Sequence, residues 1–192
     1  MIGKYREEVE AYLEPLMPLL ARIGITPNLL TVLTLVFGLF ASYCYAVNLE
    51  LIGGIMLLIS ASLDVIDGSL ARFLKKATSL GSFIDSVLDK IVEGLVFIGI
   101  IVGGISGFLG IPGFVWGALA LHASIMVSYT RAKLDALGIE KTGIGLGERA
   151  ERILIIVLFS IIDELSIGVL LVVLLAYFTM IQRMWYGVRM LK

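Results

Sequence analysis

The chain has 192 residues, a net charge of −1, 59% apolar residues and 16% charged ones, against about 25% charged in an ordinary soluble domain. Mean hydropathy is +1.01, which excludes intrinsic disorder, and the near-neutral balance excludes a nucleic-acid-binding module. Cys44 is the single cysteine, so a disulfide scaffold is excluded too, and an integral membrane protein remains.

In chain order, residues 1–26 come first. They carry Lys4, Arg6, Glu7, Glu8, Glu10, Glu14 and Arg22 and lack the compact apolar core of a signal peptide. Val9, Tyr12, Leu13, Leu16, Leu19, Leu20 and Ile23 recur at helical spacing, with Pro15 and Pro18 interrupting. That pattern predicts an amphipathic helix lying on the membrane surface. After the turn signal Thr26-Pro27-Asn28, six apolar segments predict transmembrane helices over 29–47, 51–74, 79–104, 113–137, 150–162 and 165–187. Each approaches the ~20 residues that cross ~30 Å of hydrocarbon, except the fifth. The fifth spans only if Glu148, Arg149, Glu151 and Arg152 belong to its first turns. The expected class is thus an all-α integral membrane protein, one domain over 1–192, with six transmembrane helices behind an interfacial one.

Charge orients it. The connections 48–50, 105–112 and 163–164 carry only Glu50, Asp163 and Glu164, while the basic residues lie on or near the side of the termini. The positive-inside rule then places both termini in the cytoplasm, in a multi-pass protein of the cell membrane. Gly94, Gly99, Gly103 and Gly107 read as positions where helices pack closely.

The chemistry lies between Asp64 and Asp89. Asp64 and Asp67 are three apart and share a helix face, which Gly68 and Ala71 continue with almost no side chain. Gly81, Asp85 and Asp89 are spaced by four and form a second stripe. A turn near 75–79 makes the two helices antiparallel neighbours, so four carboxylates and a groove of small residues face one another. Acids within spans are expensive and repel unless compensated. Oxygen ligands without a Cys or His cluster favour Mg²⁺ or Mn²⁺, and two ions ~4 Å apart suit phosphoryl transfer. Arg72 adds charge for a phosphate. Asp64 lies roughly 15 Å from the end of its helix and Asp85 roughly 10 Å from the start of its own, so the site opens to the cytoplasm. Two other readings stay open: ion pairing of the acids with Arg72, Lys75, Lys76 and Lys90, and a divalent-cation transporter.

These residues resemble the signature of the CDP-alcohol phosphotransferase family, Asp64-x2-Asp67-Gly68-x2-Ala71-Arg72, eight residues, then Gly81-x3-Asp85-x3-Asp89. The resemblance implies attack by an alcohol on a CDP-linked alcohol, at the phosphorus beside the lipid, with release of CMP. It implies that Asp64, Asp67, Asp85 and Asp89 hold the metals and that Asp89 is also the general base. It places Gly68, Ala71, Arg72, Gly81, Thr26, Pro27, Asn28 and Thr31 at the CDP site, and it implies a homodimer.

The acceptor side rests on two further stretches, Ser128-Tyr-Thr-Arg131-Ala-Lys133 and Glu148-Arg149-Ala-Glu151-Arg152, with Arg183. Fixed positive charge suits a phosphorylated polyol, while membrane anchoring by snorkelling accounts for it equally well. The stretches resemble the phosphatidylinositol-phosphate synthase branch, with Arg131, Lys133 and Ala150 standing where that branch often has Lys, Arg and Pro. The resemblance implies myo-inositol 1-phosphate as acceptor, its phosphate met by Ser128, Arg131, Lys133, Arg149, Arg152 and Arg183. Glycerol 3-phosphate is the same-class alternative, and the donor is CDP-archaeol or CDP-diacylglycerol. His122 reads as a packing residue, and Glu93, one turn past Asp89, either orients the site or pairs with Lys90 or Arg131.

Overall fold

The computed structural model describes residues 12–105, 107–139 and 143–191. The first eleven residues of the expected interfacial segment lie outside the described residues. Every regular element described is helical. A 3-10 turn, Glu14–Leu16, leads into a short helix α1 (Met17–Arg22). Six longer helices follow: α2 (Pro27–Ala46), α3 (Glu50–Phe73), α4 (Ser79–Gly103), α5 (Gly113–Ala136), α6 (Arg149–Ile161) and α7 (Leu165–Met190). The six begin and end within three residues of the six apolar segments. Pro15 and Pro18 sit in first turns, where a missing N–H costs no helical bond.

Local chemistry sets the helix starts that matter. Thr26 caps α2 by accepting the Leu29 N–H at 3.3 Å, with Pro27 at the first helical position. Thr78 caps α4 by accepting the Gly81 N–H at 3.1 Å. Both caps lie at the end of the bundle that carries the acids.

The packing order differs from the simple hairpin of the second and third segments. α3 and α4 each pack chiefly on α2 rather than on each other. Two helix faces bearing carboxylates have no apolar side chains to interdigitate, so a close seam between them gains little and desolvates charge. α5 packs on α7, and α6 lies against α3 and α7. The main core, including Ala41, Tyr45, Leu57, Phe97, Ile156 and Val169, fills the half away from the acids. There the Tyr45 hydroxyl and Ser160 Oγ are 2.8 Å apart. A smaller cluster of Met17, Leu30 and Leu70 seats α1 against α2 and α3, while Tyr12, Leu19 and Ile23 face outward.

Glycine permits the closest contacts. A Cβ on Gly99 would run into the Ser42 carbonyl oxygen, and one on Gly103 into that of Tyr45, so α2 and α4 approach backbone to backbone. A Cβ on Gly94 would make only ordinary contact, 3.9 Å from Leu121, and one on Gly107 would strike the Ile111 carbonyl within its loop. Among the described residues, four helices, α2, α3, α5 and α7, are long and apolar enough to cross a membrane. α4 has the length but carries Asp89, Lys90 and Glu93, and α6 has 13 residues, about 20 Å of rise.

Candidate active site

The acids meet where α3 ends and α4 begins. One carboxylate oxygen from each of Asp64, Asp67 and Asp85 lies within 4.8 Å of the other two. Asp67 is buried, and its Oδ2 accepts a hydrogen bond of 2.8 Å from the Thr31 hydroxyl on α2. The same hydroxyl is 3.1 Å from the Pro27 carbonyl oxygen. α2, wedged beside both acid-bearing helices, thus orients one of the acids.

Asp89 stands beside this trio, one turn deeper on α4. Its Oδ1 is 2.7 Å from Nη1 of Arg149, and the same nitrogen is 2.8 Å from Asp64 Oδ2. Arg149 is the first residue of α6 and reaches the acids across 85 positions of sequence. A single guanidinium therefore links the first and last acids of the motif.

The gap between the stripes is lined by small groups. A Cβ on Gly68 would meet only the Arg72 guanidinium, at 3.4 Å, and one on Gly81 only Thr78 Oγ1, at 3.2 Å. Ala71 is half-buried, Arg72 is exposed, and Nη2 of Arg72 is 3.3 Å from Ser69 Oγ. Thr26 and Asn28 are exposed at the start of α2, with Pro27 half-buried between them.

The remaining cations separate into two groups. Arg131 and Lys133 are exposed on α5, and Ser128 donates to the Ser124 carbonyl at 3.2 Å. Arg152 and Arg183 are each 1% exposed. Nε and Nη2 of Arg152 donate to Glu93 Oε1 at 2.8 and 2.6 Å, and its Nη1 donates to the Gly147 carbonyl. Arg183 donates to the carbonyls of Ile144 (2.9 Å) and Val127 (2.7 Å) and to Glu148 Oε1 (3.1 Å). Glu148 is also 3.7 Å from Arg131. The structure therefore gathers Arg149 with the acids, leaves Arg131 and Lys133 at the surface, and places Arg152 and Arg183 beneath it.

A family model described as CDP-alcohol phosphatidyltransferase matches residues 24–188. The chain belongs to the CDP-alcohol phosphatidyltransferase family. It is similar to the archaetidylinositol phosphate synthase of Pyrococcus horikoshii, 37% identical over 194 residues, covering 100% of this chain and 99% of that one. It is similar also to that of Methanothermobacter thermautotrophicus, 36% identical over 198 residues, covering 100% and 96%. In fold it resembles the crystal structure of Mycobacterium tuberculosis phosphatidylinositol phosphate synthase with CDP-DAG bound. The TM-score is 0.79 at 24% identity, covering 90% of this chain and 92% of that one. The same mycobacterial enzyme in complex with manganese and citrate gives a TM-score of 0.78 at 24% identity, covering 90% and 87%.

As a phosphotransferase of this family, with four helices able to cross a membrane, the chain is a multi-pass membrane enzyme. The donor set of Asp64, Asp67 and Asp85, hard oxygens within one coordination sphere of each other, fits Mg²⁺ or Mn²⁺. One contributor is half legible from sequence and a second is not. Glu93, the next step of the 81–85–89 stripe, pairs with Lys90 at 2.8 Å as the i,i+3 spacing allows, and its second partner is Arg152, not Arg131. Glu148 braces Arg183 and Arg131, which sequence spacing gives no sign of. His122 is hydrogen-bonded through Nδ1 to the Tyr177 hydroxyl at 2.9 Å, between α5 and α7.

Proposed function

We propose that this enzyme transfers the substituted phosphoryl group of a CDP-lipid to a hydroxyl of myo-inositol 1-phosphate and releases CMP. The observation that carries the reading is the junction of three helices at one point. Asp64, Asp67 and Asp85 converge within 4.8 Å, and Arg149 reaches in from α6 to Asp64 and Asp89. A cluster of acids and a guanidinium side by side suits a donor diphosphate and a phosphorylated acceptor brought together. The names of the two archaeal relatives, matched over 99% and 96% of their length, support inositol phosphate as the acceptor. CDP-archaeol and CDP-diacylglycerol are the candidate donors.

Asp64, Asp67 and Asp85, with Asp89 at their edge, would hold Mg²⁺ or Mn²⁺, two ions by the number of acids. Bound there, such ions supply positive charge for the diphosphate and for the transferring phosphoryl group. Gly68, Ala71 and Gly81 leave room for the diphosphate, and exposed Arg72 meets its charge. The start of α2 at Thr26, Pro27 and Asn28 flanks the space for the cytidine. Asp89 takes the proton from the acceptor hydroxyl as its oxygen attacks the phosphorus beside the lipid. The bond from that phosphorus to the CMP oxygen breaks, and CMP leaves with the bonding pair. Arg149, Arg131, Lys133 and Ser128 meet the acceptor phosphate from the open side, above Arg152 and Arg183.

The topology that fits has α4 and α6 crossing as well, six spans in all, with both termini and the site on the cytoplasmic face. The outward Tyr12, Leu19 and Ile23 of the N-terminal segment then lie in the interface. The enzyme works as a homodimer. The deciding experiment is CMP release by purified enzyme with Mg²⁺ and a CDP-lipid, diacyl or archaeol. Inositol 1-phosphate, inositol, glycerol 3-phosphate and serine are supplied separately. Release that requires inositol 1-phosphate supports the reading. Release with glycerol 3-phosphate alone replaces the acceptor, and cation flux without nucleotide chemistry overturns the whole.

A further inference from the structure

Two ion-pair rungs bridge α4 and α6. The lower rung, Asp89 to Arg149, stands in the site with each side chain nearly a fifth exposed. The upper rung, Glu93 to Arg152, lies one turn further along both helices and is closed, with Glu93 4% and Arg152 1% exposed. Arg152 holds Glu93 Oε1 through Nε and Nη2, and Lys90 donates to Oε2 at 2.8 Å. Both carboxylate oxygens of Glu93 are thereby engaged.

A closed ion pair is weak evidence of stability, because the desolvation of both charges offsets their attraction. What it does supply is register. The chief packing partners of α4 are α2 and α5, and those of α6 are α3 and α7. Across the α4–α6 gap the rungs are polar links at the site end, with Val96, Phe97, Ile153 and Ile156 of the two helices sharing the apolar core beyond them. Arg152 also donates to the Gly147 carbonyl, two residues before Arg149, and the Gly147 N–H donates to Thr179 Oγ1 at 2.9 Å. The backbone entering α6 is held by Arg152, itself paired with Glu93 of α4, and by Thr179 of α7. Arg149 begins its helix at that grip.

We infer that Glu93 is a positioning residue for the acceptor: through Arg152 it sets where Arg149 stands relative to Asp89, and hence how the acceptor phosphate is held. The inference rests on the proposed role of Arg149. It predicts a larger effect on the acceptor than on the donor, since the space for the diphosphate is lined by Gly68, Ala71 and Gly81, none of which the upper rung touches, and Arg149 reaches the donor side only through Asp64 and Asp89.

The test is steady-state kinetics of the full-length enzyme with Glu93→Gln, Glu93→Asp, Arg152→Gln and the double variant Glu93→Gln/Arg152→Gln. Wild-type turnover with inositol 1-phosphate is scored first, so that failure of the proposed acceptor shows there. The variant-to-wild-type ratios are then read with whichever phosphorylated acceptor releases CMP. Glu93→Gln is expected to raise the acceptor KM on the order of 10- to 100-fold, the effect of misplacing a binding group by about an ångström, and to leave the donor KM near wild type. The double variant is expected to match the Arg152→Gln single, as residues acting as one unit do. Additive effects would mean that Arg152 meets the acceptor independently, and they overturn the inference. So does an unchanged acceptor KM, or an equal loss for both substrates. If Glu93→Gln does not fold by size-exclusion profile, Glu93→Asp decides on the same criteria, because it keeps the charge and shortens the reach.

Discussion

Thr31→Val separates two roles for one hydroxyl. The resemblance puts Thr31 at the CDP site, whereas the structure puts its hydroxyl 2.8 Å from Oδ2 of Asp67, a side chain that is 4% exposed. Valine keeps the shape and removes the donor, leaving a buried carboxylate oxygen to seek another partner. A hydrogen bond to a charged group is worth about 1.5–3 kcal/mol, which at roughly 1.4 kcal/mol per decade corresponds to about 10- to 100-fold in affinity. Loss of an outer-shell partner of a metal ligand falls in the same range, about 10- to 100-fold. The expected result is a rise of that size in the Mg²⁺ concentration for half-maximal CMP release, at saturating donor and acceptor. A parallel weakening of Mn²⁺ binding, followed by electron paramagnetic resonance, is expected without any substrate. Thr31→Ser keeps the hydroxyl and should stay near wild type. A folded Thr31→Val enzyme with wild-type Mg²⁺ dependence and a raised donor KM would free Asp67 of this partner's influence and return the hydroxyl to the nucleotide.

Asp89→Asn removes the proposed base and should lower kcat by about 10²- to 10⁴-fold, while equilibrium binding of the CDP-lipid stays close to wild type; collapse of donor binding would make Asp89 chiefly a metal ligand. Arg149→Ala should raise the acceptor KM by roughly 10- to 100-fold, as expected for a lost charge-assisted pair worth about 1.5–3 kcal/mol. An equal rise in donor KM would displace Arg149 from the acceptor phosphate. Chelation by EDTA should abolish CMP release, and added Mg²⁺ or Mn²⁺ should restore it; activity that persists after exhaustive chelation removes the metal from the mechanism. In a Cys44→Ala background, Lys76→Cys should react with a membrane-impermeant thiol reagent only from the cytoplasmic side, and Leu49→Cys only from the other. Labelling of both from one side breaks the six-span topology.

What the sequence made legible follows the reach of local rules. The turn signal at Thr26-Pro27-Asn28 and the apolar runs mark where helices start and stop, because turn chemistry and periodicity are decided within a few residues. The spacing of Asp64, Asp67 and Asp85 on two helix faces was enough to foresee their convergence, since i,i+3 and i,i+4 positions share a face whatever the helix packs against. Partners contributed by distant helices were harder to read. Arg149 and Arg152 look alike as neighbours on one short helix, yet one enters the acid cluster and the other is buried against Glu93. Their phase around α6 relative to α4 is set by tertiary packing, and the pattern of the sequence is silent about it. The same holds for Thr31, whose partner Asp67 lies 36 positions away. It holds also for the wedging of α2 between α3 and α4, where a hairpin of adjacent helices is the simpler expectation.

Glycine does opposite work at the two ends of α4, and together these uses explain why the acids have a gap to line. At the far end Gly99 and Gly103 let the α4 backbone rest directly on the Ser42 and Tyr45 carbonyls of α2, contacts that any Cβ would block. Close approach of this kind is how helices associate where burial of apolar surface gives little drive. At the near end Gly81 faces no side chain of another helix, and Gly68 faces only the guanidinium end of Arg72. The first turns of α4 are exposed while its last turns are buried against α2. Tight closure at one end thus fixes the helix while the other stands open beside α3, with Thr31 from α2 orienting an acid at the mouth. A side chain at Gly99 would push α4 off α2 and disturb the acids from a distance, whereas a side chain at Gly68 would leave the bundle intact and fill the space for the diphosphate. Gly99→Leu should therefore lower the unfolding temperature in detergent along with activity, and Gly68→Leu should remove donor binding at a wild-type unfolding temperature. A destabilised Gly68→Leu enzyme would show that this glycine serves packing rather than the substrate gap.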